Sequence, residues 1–176
     1  MRRMTPWALG RSGDMIAPLK HVLFLAALAL SMVADVSRAA GQDNSSVVAA
    51  AARYVPGVNW RAKSIVTGDF SCSGQKGQAI LGTSQTEIIV AVFLNGTTKR
   101  PEVLRYSAKA RRASSAVLTI EDLSFDLKDL QADLGFVPPG LRPSKTCKGL
   151  NLSDGDTDSA HIYWNHESRR FDDWTL

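Results

Sequence analysis

Two stretches of the chain have patterns that are typical of short helices. The first covers residues 47–54, follows cap-forming side chains at 43–45 and ends at a Pro-Gly pair. The second carries leucines at helical spacing over residues 127–134, with Asp126 as its expected N-cap and Gly135 as its expected stop. The pattern therefore predicts one or two short helices, widely separated along the chain.

Strand patterns occupy most of the remaining sequence. Short apolar or alternating runs separated by turn residues lie at 60–66, 78–82, 87–94, 103–106, 116–120, 160–164 and 170–174. Every residue from Ile88 to Leu94 is apolar, which predicts a central strand with both faces covered. Turns near Ser84 and across residues 165–168 predict two hairpins. The expected fold is a single α+β domain of mainly antiparallel β-sheet with one or two short helices.

The first 39 residues follow a different pattern, which is that of a secretory signal peptide. Arginines near the N-terminus precede an uncharged apolar run from Val22 to Val33, and small residues lead to an expected cleavage after Ala39. The run holds about a dozen residues and a bilayer span needs roughly twenty, which disfavours the alternative of an uncleaved membrane anchor. We therefore expect a mature domain over residues 40–176 with no remaining membrane span. Translation starts at either Met1 or Met15.

The formal net charge of +4 belongs mainly to this leader. Five of the 21 basic and two of the 17 acidic residues lie within it, which leaves sixteen basic and fifteen acidic residues in the mature part. Because the basic balance belongs to the leader, a nucleic-acid-binding function loses its main support. The export signal instead predicts a periplasmic or secreted bacterial protein whose partner is an envelope or extracellular protein.

The chain contains two cysteines, Cys72 and Cys147, and both lie in the mature part. In an oxidising compartment an isolated pair of this kind is expected to form a disulfide. Two separate buried thiols are an alternative. A zinc site is disfavoured because neither cysteine has a second Cys or a His at ligand spacing.

The segment from Gly68 to Gly77 contains the first of two candidate cation sites. Asp69, Ser71 and Ser73 stand on alternate positions before Gly74, which is the frame of a calcium-binding loop. Because only one of these oxygen ligands is a carboxylate, the alternative is a rigid loop held by the disulfide.

This loop and the hairpin after it resemble one unit of the FG-GAP or VCBS-type families, in which a Gly-Asp-Phe-Asn-Gly-Asp-Gly type segment leads into an apolar hairpin. The matching residues are Gly68, Asp69, Phe70 and Gly74, followed by apolar runs at 79–81 and 89–93. The resemblance implies a calcium role, although Ser71, Ser73 and Gly77 replace acidic residues of those families. The segment over 147–171 also resembles the tails of small exported bacterial proteins of unknown function.

The second candidate cation site is the acidic turn at Asp154, Asp156 and Asp158, where three carboxylates stand on alternate positions. Ca²⁺ is the cofactor that such a turn would hold. A solvated turn leading into the last hairpin is the alternative, because no Gly stands at the sixth position and no acidic residue closes the loop.

The mature part contains two histidines, His161 and His166, which are candidates for acid–base chemistry. Asp158 lies near the first in sequence and Glu167 follows the second, so an exported hydrolase that uses either His with a nearby carboxylate is an alternative function. No nucleophile motif accompanies them, and we assign no catalytic residue.

Four aromatic residues near the C-terminus, Tyr163, Trp164, Phe171 and Trp174, form a candidate partner surface. Alternation along the strand places Trp164 on one face and Tyr163 on the other, so burial of one face in the core is the alternative.

Two clusters of like charge divide the middle of the chain. The basic cluster is Lys99, Arg100, Arg105, Lys109, Arg111 and Arg112, and the acidic cluster is Glu121, Asp122, Asp126, Asp129 and Asp133. We expect them to face each other or solvent, with contact to anionic lipid or glycan surfaces as an alternative. Taken together, these patterns favour a small, exported, non-enzymatic binding domain, with a hydrolase and a calcium-stabilised module as alternatives.

Overall fold

Two helices, one 3-10 turn and nine strands form within residues 44–109 and 111–175, which are the residues that the computed structural model describes. The predicted signal segment, its cleavage point after Ala39 and both candidate start residues lie outside this part of the chain. In order, the elements are α1 over residues 44–54, β1 Asn59–Trp60, the 3-10 turn Ala62–Ser64, β2 Val66–Gly68, β3 Gly77–Thr83, β4 Glu87–Phe93, β5 Glu102–Ser107, β6 Val117–Asp122, α2 Leu127–Leu134, β7 Lys148–Ser153, β8 Ala160–Asn165 and β9 Arg170–Trp174.

The first sheet is organised around β3, which pairs antiparallel with β4 on one side and with both β1 and β2 on the other. β5 extends the sheet by pairing antiparallel with β4. All residues from Ile88 to Phe93 are buried, because the sheet covers the edges of β4 and other layers cover its faces. The predicted hairpin and the central position of its second strand are therefore confirmed.

The predicted extended segment over residues 60–66 is interrupted by the 3-10 turn, so this sequence prediction was wrong in its middle. Side-chain contacts explain the interruption. The Arg61 guanidinium donates to the carbonyls of Ala113 and Ala116, and the Ser64 hydroxyl accepts from the amide of Leu81 at 2.9 Å. Contacts with distant residues thus shape this segment more than its own β propensity does.

The second sheet has the order β6-β7-β8-β9, and each neighbouring pair is antiparallel. The hairpin of β8 and β9 confirms the predicted turn near residues 165–168. β7 did not appear in the sequence prediction. Leu150 and Leu152 are nevertheless fully buried on either side of the half-exposed Asn151.

The two sheets pack face to face, and each has a helix on its outer face. The core between them combines first-sheet residues such as Leu81 and Val90 with second-sheet residues such as Leu150 and Ile162. α1 buries its apolar face against the outer side of the first sheet. Leucines of α2 pack on an outer cluster of the second sheet. The result is a single α+β domain that is mainly antiparallel β-sheet, as predicted.

α2 begins and ends where its sequence signals predict. The Asp126 carboxylate accepts a hydrogen bond from the Lys128 amide at 2.8 Å, and Gly135 closes the helix with a φ of 77°. A left-handed residue at this position is unstrained only for glycine and a few small polar residues.

Along the sides of the sandwich, β2 lies beside β6 and β5 lies beside β9.

Candidate functional site

The disulfide between Cys72 and Cys147 confirms the predicted pairing of the two cysteines. Their Cα atoms lie 4.9 Å apart, although the residues are separated by 75 positions in sequence. Cys72 lies in the loop after β2, and Cys147 immediately precedes β7. The bond therefore joins the first sheet to the second.

The loop that carries Cys72 is held by hydrogen bonds to Asp69. The Asp69 carboxylate accepts from the backbone amides of Ser73 at 3.1 Å and Gly74 at 2.7 Å, while its carbonyl accepts from the amide of Lys148 at 2.9 Å. Both carboxylate oxygens are thus directed at the loop backbone. Calcium binding in this loop and its resemblance to FG-GAP or VCBS-type units stay predictions.

Asp154 is buried and serves as the hydrogen-bond acceptor at the centre of its turn. Its Oδ1 accepts from the amides of Thr157 at 2.9 Å and Asp156 at 3.1 Å, and its Oδ2 accepts from the amide of Arg112 at 2.8 Å. These donors, with the Thr157 amide the strongest, hold the pKa of Asp154 well below its usual range. The carboxylate therefore fastens the acidic turn to the basic turn before β6.

The other two acidic residues of this turn have different surroundings. Asp156 pairs with Arg112 at 2.6 Å, and the backbone carbonyl of Asp158 accepts from Arg111 at 2.7 Å. Within the described residues, no group of three or more His, Cys, Asp or Glu side chains is gathered closely enough to hold a metal ion. The contacts favour a hydrogen-bonded turn, and calcium binding by Asp154, Asp156 and Asp158 stays a prediction.

The predicted aromatic surface is divided between the two faces of the second sheet. Tyr163 and Trp174 are buried on the outer face, where they pack with Leu141 and Phe125 beneath α2. The Tyr163 hydroxyl donates to the Pro139 carbonyl at 2.8 Å. These two aromatic rings therefore serve as core.

The other two aromatic residues are half-buried near the end of the inner face. The rings of Trp164 and Phe171 meet edge to face, with centroids 5.3 Å apart. Part of each ring remains accessible to solvent. Trp164 and Phe171 are therefore the residues of the predicted partner surface that a partner can contact.

His161 forms its closest polar contact with Glu121, a residue that the sequence did not suggest as its partner. The Nδ1 of His161 lies 2.7 Å from Oε1 of Glu121, and the His161 ring stacks on Trp174 with centroids 5.1 Å apart. Glu121 is on β6 opposite Gly149 of β7, whereas His161 of β8 is opposite Asn151, so the contact runs diagonally across β7. The other oxygen of Glu121 is buried and has no hydrogen-bond partner among the described residues.

The second histidine occupies a separate position in the last hairpin. The amide of His166 donates to the Gly140 carbonyl at 3.0 Å. Burial, assisted by the positive charge of Arg142, lowers the pKa of the His166 side chain. His166 is therefore disposed to remain neutral, and the structure brings it into no acid–base pair with Glu167 among the contacts of the described residues.

The charged clusters form their ion pairs with residues outside both clusters. Arg105 pairs with Glu87 across the first sheet, and Lys148 pairs with Asp122 across the second.

Arg111 lies over the ring of Tyr106 at 5.8 Å from its centroid. Burial raises the pKa of the Tyr106 hydroxyl far above its usual range.

A hollow of about 310 Å³ lies where β5 and β9 run side by side. It is lined by Arg100, Pro101, Glu102, Val103, Leu104, Arg170 and Phe171. A smaller hollow of about 150 Å³ shares Arg100 and Glu102 and adds Lys99. We call the two together the β5–β9 seam. In this seam the Phe171 amide donates a hydrogen bond of 3.0 Å to the Glu102 carboxylate, which joins residues 69 positions apart. The sequence did not predict this contact.

Comparisons with known proteins add no relative for this chain. No protein-family model, curated protein or solved structure matches it significantly.

Neither helix in the described part of the chain has the length and apolar content that spanning a bilayer requires. The chain is thus described by its own geometry: a disulfide-bonded α+β domain with an accessible seam and a His–Glu contact on its outer face.

Proposed function

We propose that this chain is an exported, disulfide-stabilised domain that binds a component of the bacterial envelope or of the extracellular space. The Cys72–Cys147 disulfide carries this proposal, because structural disulfides form and persist in oxidising compartments. The predicted signal peptide supports it from the sequence.

The β5–β9 seam is the proposed binding surface. It combines a hollow of about 310 Å³ with the half-buried ring of Phe171 and with charged side chains at its rim. Pockets of this size lie at the lower end of those that take small ligands, and aromatic anchors supply much of the affinity at binding sites. Phe171 also belongs to the hairpin that the sequence favours as an interaction surface.

Intact-mass analysis of native material tests the export step. The expected mass is that of residues 40–176 less the mass of two hydrogen atoms, which corresponds to one disulfide. A protein that retains the first 39 residues, or that carries two free thiols, would contradict the proposal.

Capture from an envelope extract tests the binding step. We expect the Phe171→Ala variant to lose most of the component that the wild-type domain retains. Phe136→Ala is the matched control, since Phe136 is 50% exposed on the loop after α2 and the substitution is the same. Melting curves of both variants establish that each is folded, and equal capture by all three proteins would remove the seam from the proposal.

An exported hydrolase is the second candidate function, and the contact between His161 and Glu121 favours it. A carboxylate on Nδ1 orients an imidazole so that its other nitrogen can transfer a proton, as in catalytic triads. Positioned acid–base groups contribute roughly a hundredfold or more to a rate.

Turnover of chromogenic esters and glycosides tests this alternative. If the domain hydrolyses one of them, His161→Gln should lower kcat by at least about a hundredfold, while His166→Gln should retain it. Absence of turnover across both substrate classes, or equal losses in both variants, would leave binding as the function.

A further inference from the structure

The β5–β9 seam contains more positive than negative side chains. Arg100 and Arg170 line the larger hollow and Lys99 joins Arg100 in the smaller one, whereas Glu102 is the acidic residue that both hollows share. Three cations and one carboxylate thus line the seam.

The Glu102 carboxylate is already engaged by the protein. Its Oε2 accepts the hydrogen bond from the Phe171 amide, which fixes the acid at the side of the hollow between the two strands. Glu102 therefore acts as a tie between β5 and β9. It forms an ion pair with none of the three cations of the seam within the described residues.

Three arginines of the basic cluster, unlike the seam cations, have acidic or carbonyl partners. Arg105 pairs with Glu87 and Arg112 pairs with Asp156, and Arg111 donates to the carbonyl of Asp158. In the part of the chain that the structure describes, Lys99, Arg100 and Arg170 enter no such pair. Their charges are available to a ligand.

Two guanidinium groups on one hollow define the chemistry of the ligand. Arginine presents a planar fork of donors that matches the paired oxygens of phosphate and carboxylate groups. The accessible lining is mainly polar, and its smaller apolar part comes from residues such as Pro101, Leu104 and Phe171. A ligand that satisfies both parts has an anionic head and a small apolar body.

We infer that the β5–β9 seam binds an anionic ligand, a phosphate or carboxylate group on a small apolar body, through Arg100 and Arg170. This inference rests on the proposed binding function and names the class of ligand that the seam takes. The apolar body lies against Phe171, and Lys99 extends the positive surface to a second anionic group on a longer ligand.

The test uses the oxidised mature protein with three probes of nearly equal size. Phenyl phosphate and benzoate carry the two candidate head groups on a ring, and benzyl alcohol is the neutral control. We expect at least one anion to shift the backbone amide signal of Phe171 in NMR titrations, with saturation, while benzyl alcohol leaves it unchanged. The two anions together distinguish a phosphate site from a carboxylate site.

Charge-neutral variants identify the residues responsible. Because a hydrogen bond to a charged group is among the stronger polar contacts, Arg100→Gln and Arg170→Gln should each weaken binding of the anion by about tenfold. Lys128→Gln is the matched control, since it removes the same charge from the exposed surface of α2. It should bind the anion as the wild type does.

Several outcomes would overturn the inference. These guanidinium groups form no site if neither anion shifts the Phe171 signal. The same conclusion follows if both arginine variants bind the anion fully, or if Lys128→Gln weakens binding as much as they do. If the anions fail while Phe171→Ala still abolishes capture from the extract, the seam binds a neutral component and the proposed function stands. If capture is also insensitive to Phe171→Ala, the proposed binding surface falls as well.

Discussion

Glu121 and His161 meet across an intervening strand, with 2.7 Å between Oε1 of the acid and Nδ1 of the imidazole. They lie on β6 and β8, 40 positions apart in sequence, and their side chains are 25% and 16% exposed. Both side chains are less exposed than those of the Glu87–Arg105 pair. It ties the edge strand of the second sheet to the hairpin that carries Trp174.

Removing His161 should destabilise the domain, because it leaves the largely buried carboxylate of Glu121 without its partner. We expect His161→Leu to cost about 1–3 kcal/mol of unfolding free energy in urea denaturation. The double variant Glu121→Leu/His161→Leu should cost less than the sum of the single variants by about 1 kcal/mol. The exposed pair Glu87–Arg105 is the control cycle, and a coupling at Glu121–His161 no larger than there would contradict the prediction.

Loss of the disulfide should be the largest single change in stability. Joining residues 75 positions apart restricts the unfolded chain, and the chain-entropy relation gives about 4 kcal/mol for a loop of that length. We expect the Cys72→Ser/Cys147→Ser variant to lose that much in urea denaturation, and the reduced wild type to match it. Superimposable curves for the oxidised and reduced proteins would show that the bond constrains nothing.

Asp154 should make the domain sensitive to acid. Hydrogen bonds in the folded state lower its pKa, so its stabilising contribution is complete above the unfolded-state pKa of about 4 and is lost as the pH falls further. We expect the urea midpoint of the wild type to fall below pH 4, and Asp154→Asn to show a shallower fall from a lower starting value at neutral pH.

The comparison with Asp156→Asn isolates this effect. Asp156 forms an exposed ion pair, so its variant should follow the pH dependence of the wild type. Asp173 acts in the opposite direction, because partial desolvation of its carboxyl and the nearby Asp172 raise its pKa, so its ionisation opposes folding as the pH rises. Parallel curves for wild type and Asp154→Asn would contradict the role assigned to Asp154.

Calcium distinguishes the two interpretations of the turn at residues 154–158. Because Asp154 accepts backbone hydrogen bonds and Asp156 pairs with Arg112, we expect the Tm to be the same with calcium and with a chelator. An increase in Tm on adding calcium, absent in Asp156→Ala, would instead establish the calcium site that the alternating carboxylates suggest.

Local patterns predicted the elements that carry their own signals. Asp126 and Gly135 bound α2 as expected, and the apolar run from Ile88 identified the central strand. The sequence did not predict β7, because Lys148, Gly149 and Asn151 interrupt its apolar pattern. β7 forms a strand through its pairing with β6 and β8. Its partners, not its own propensities, define it.

The functional geometry was less accessible because its contacts are long-range. Nothing near His161 in sequence indicates Glu121, and nothing near Phe171 indicates Glu102. Alternation along β6 places Glu121 on the outer face of the sheet, which is the one sequence feature that points to its role. That feature identifies His161 as the partner only once the order of the strands is known. Burial of Trp174 likewise depends on where α2 packs.

The disulfide and the Glu102–Phe171 hydrogen bond connect the two sheets in unequal ways. One is a covalent link between the loop after β2 and the start of β7, and the other is a single reversible contact between β5 and β9. Fluctuations of the two layers should therefore be more restricted on the covalent side than on the opposite side, where the cations lie. A ligand in the seam would therefore bind where the two layers are joined without a covalent bond.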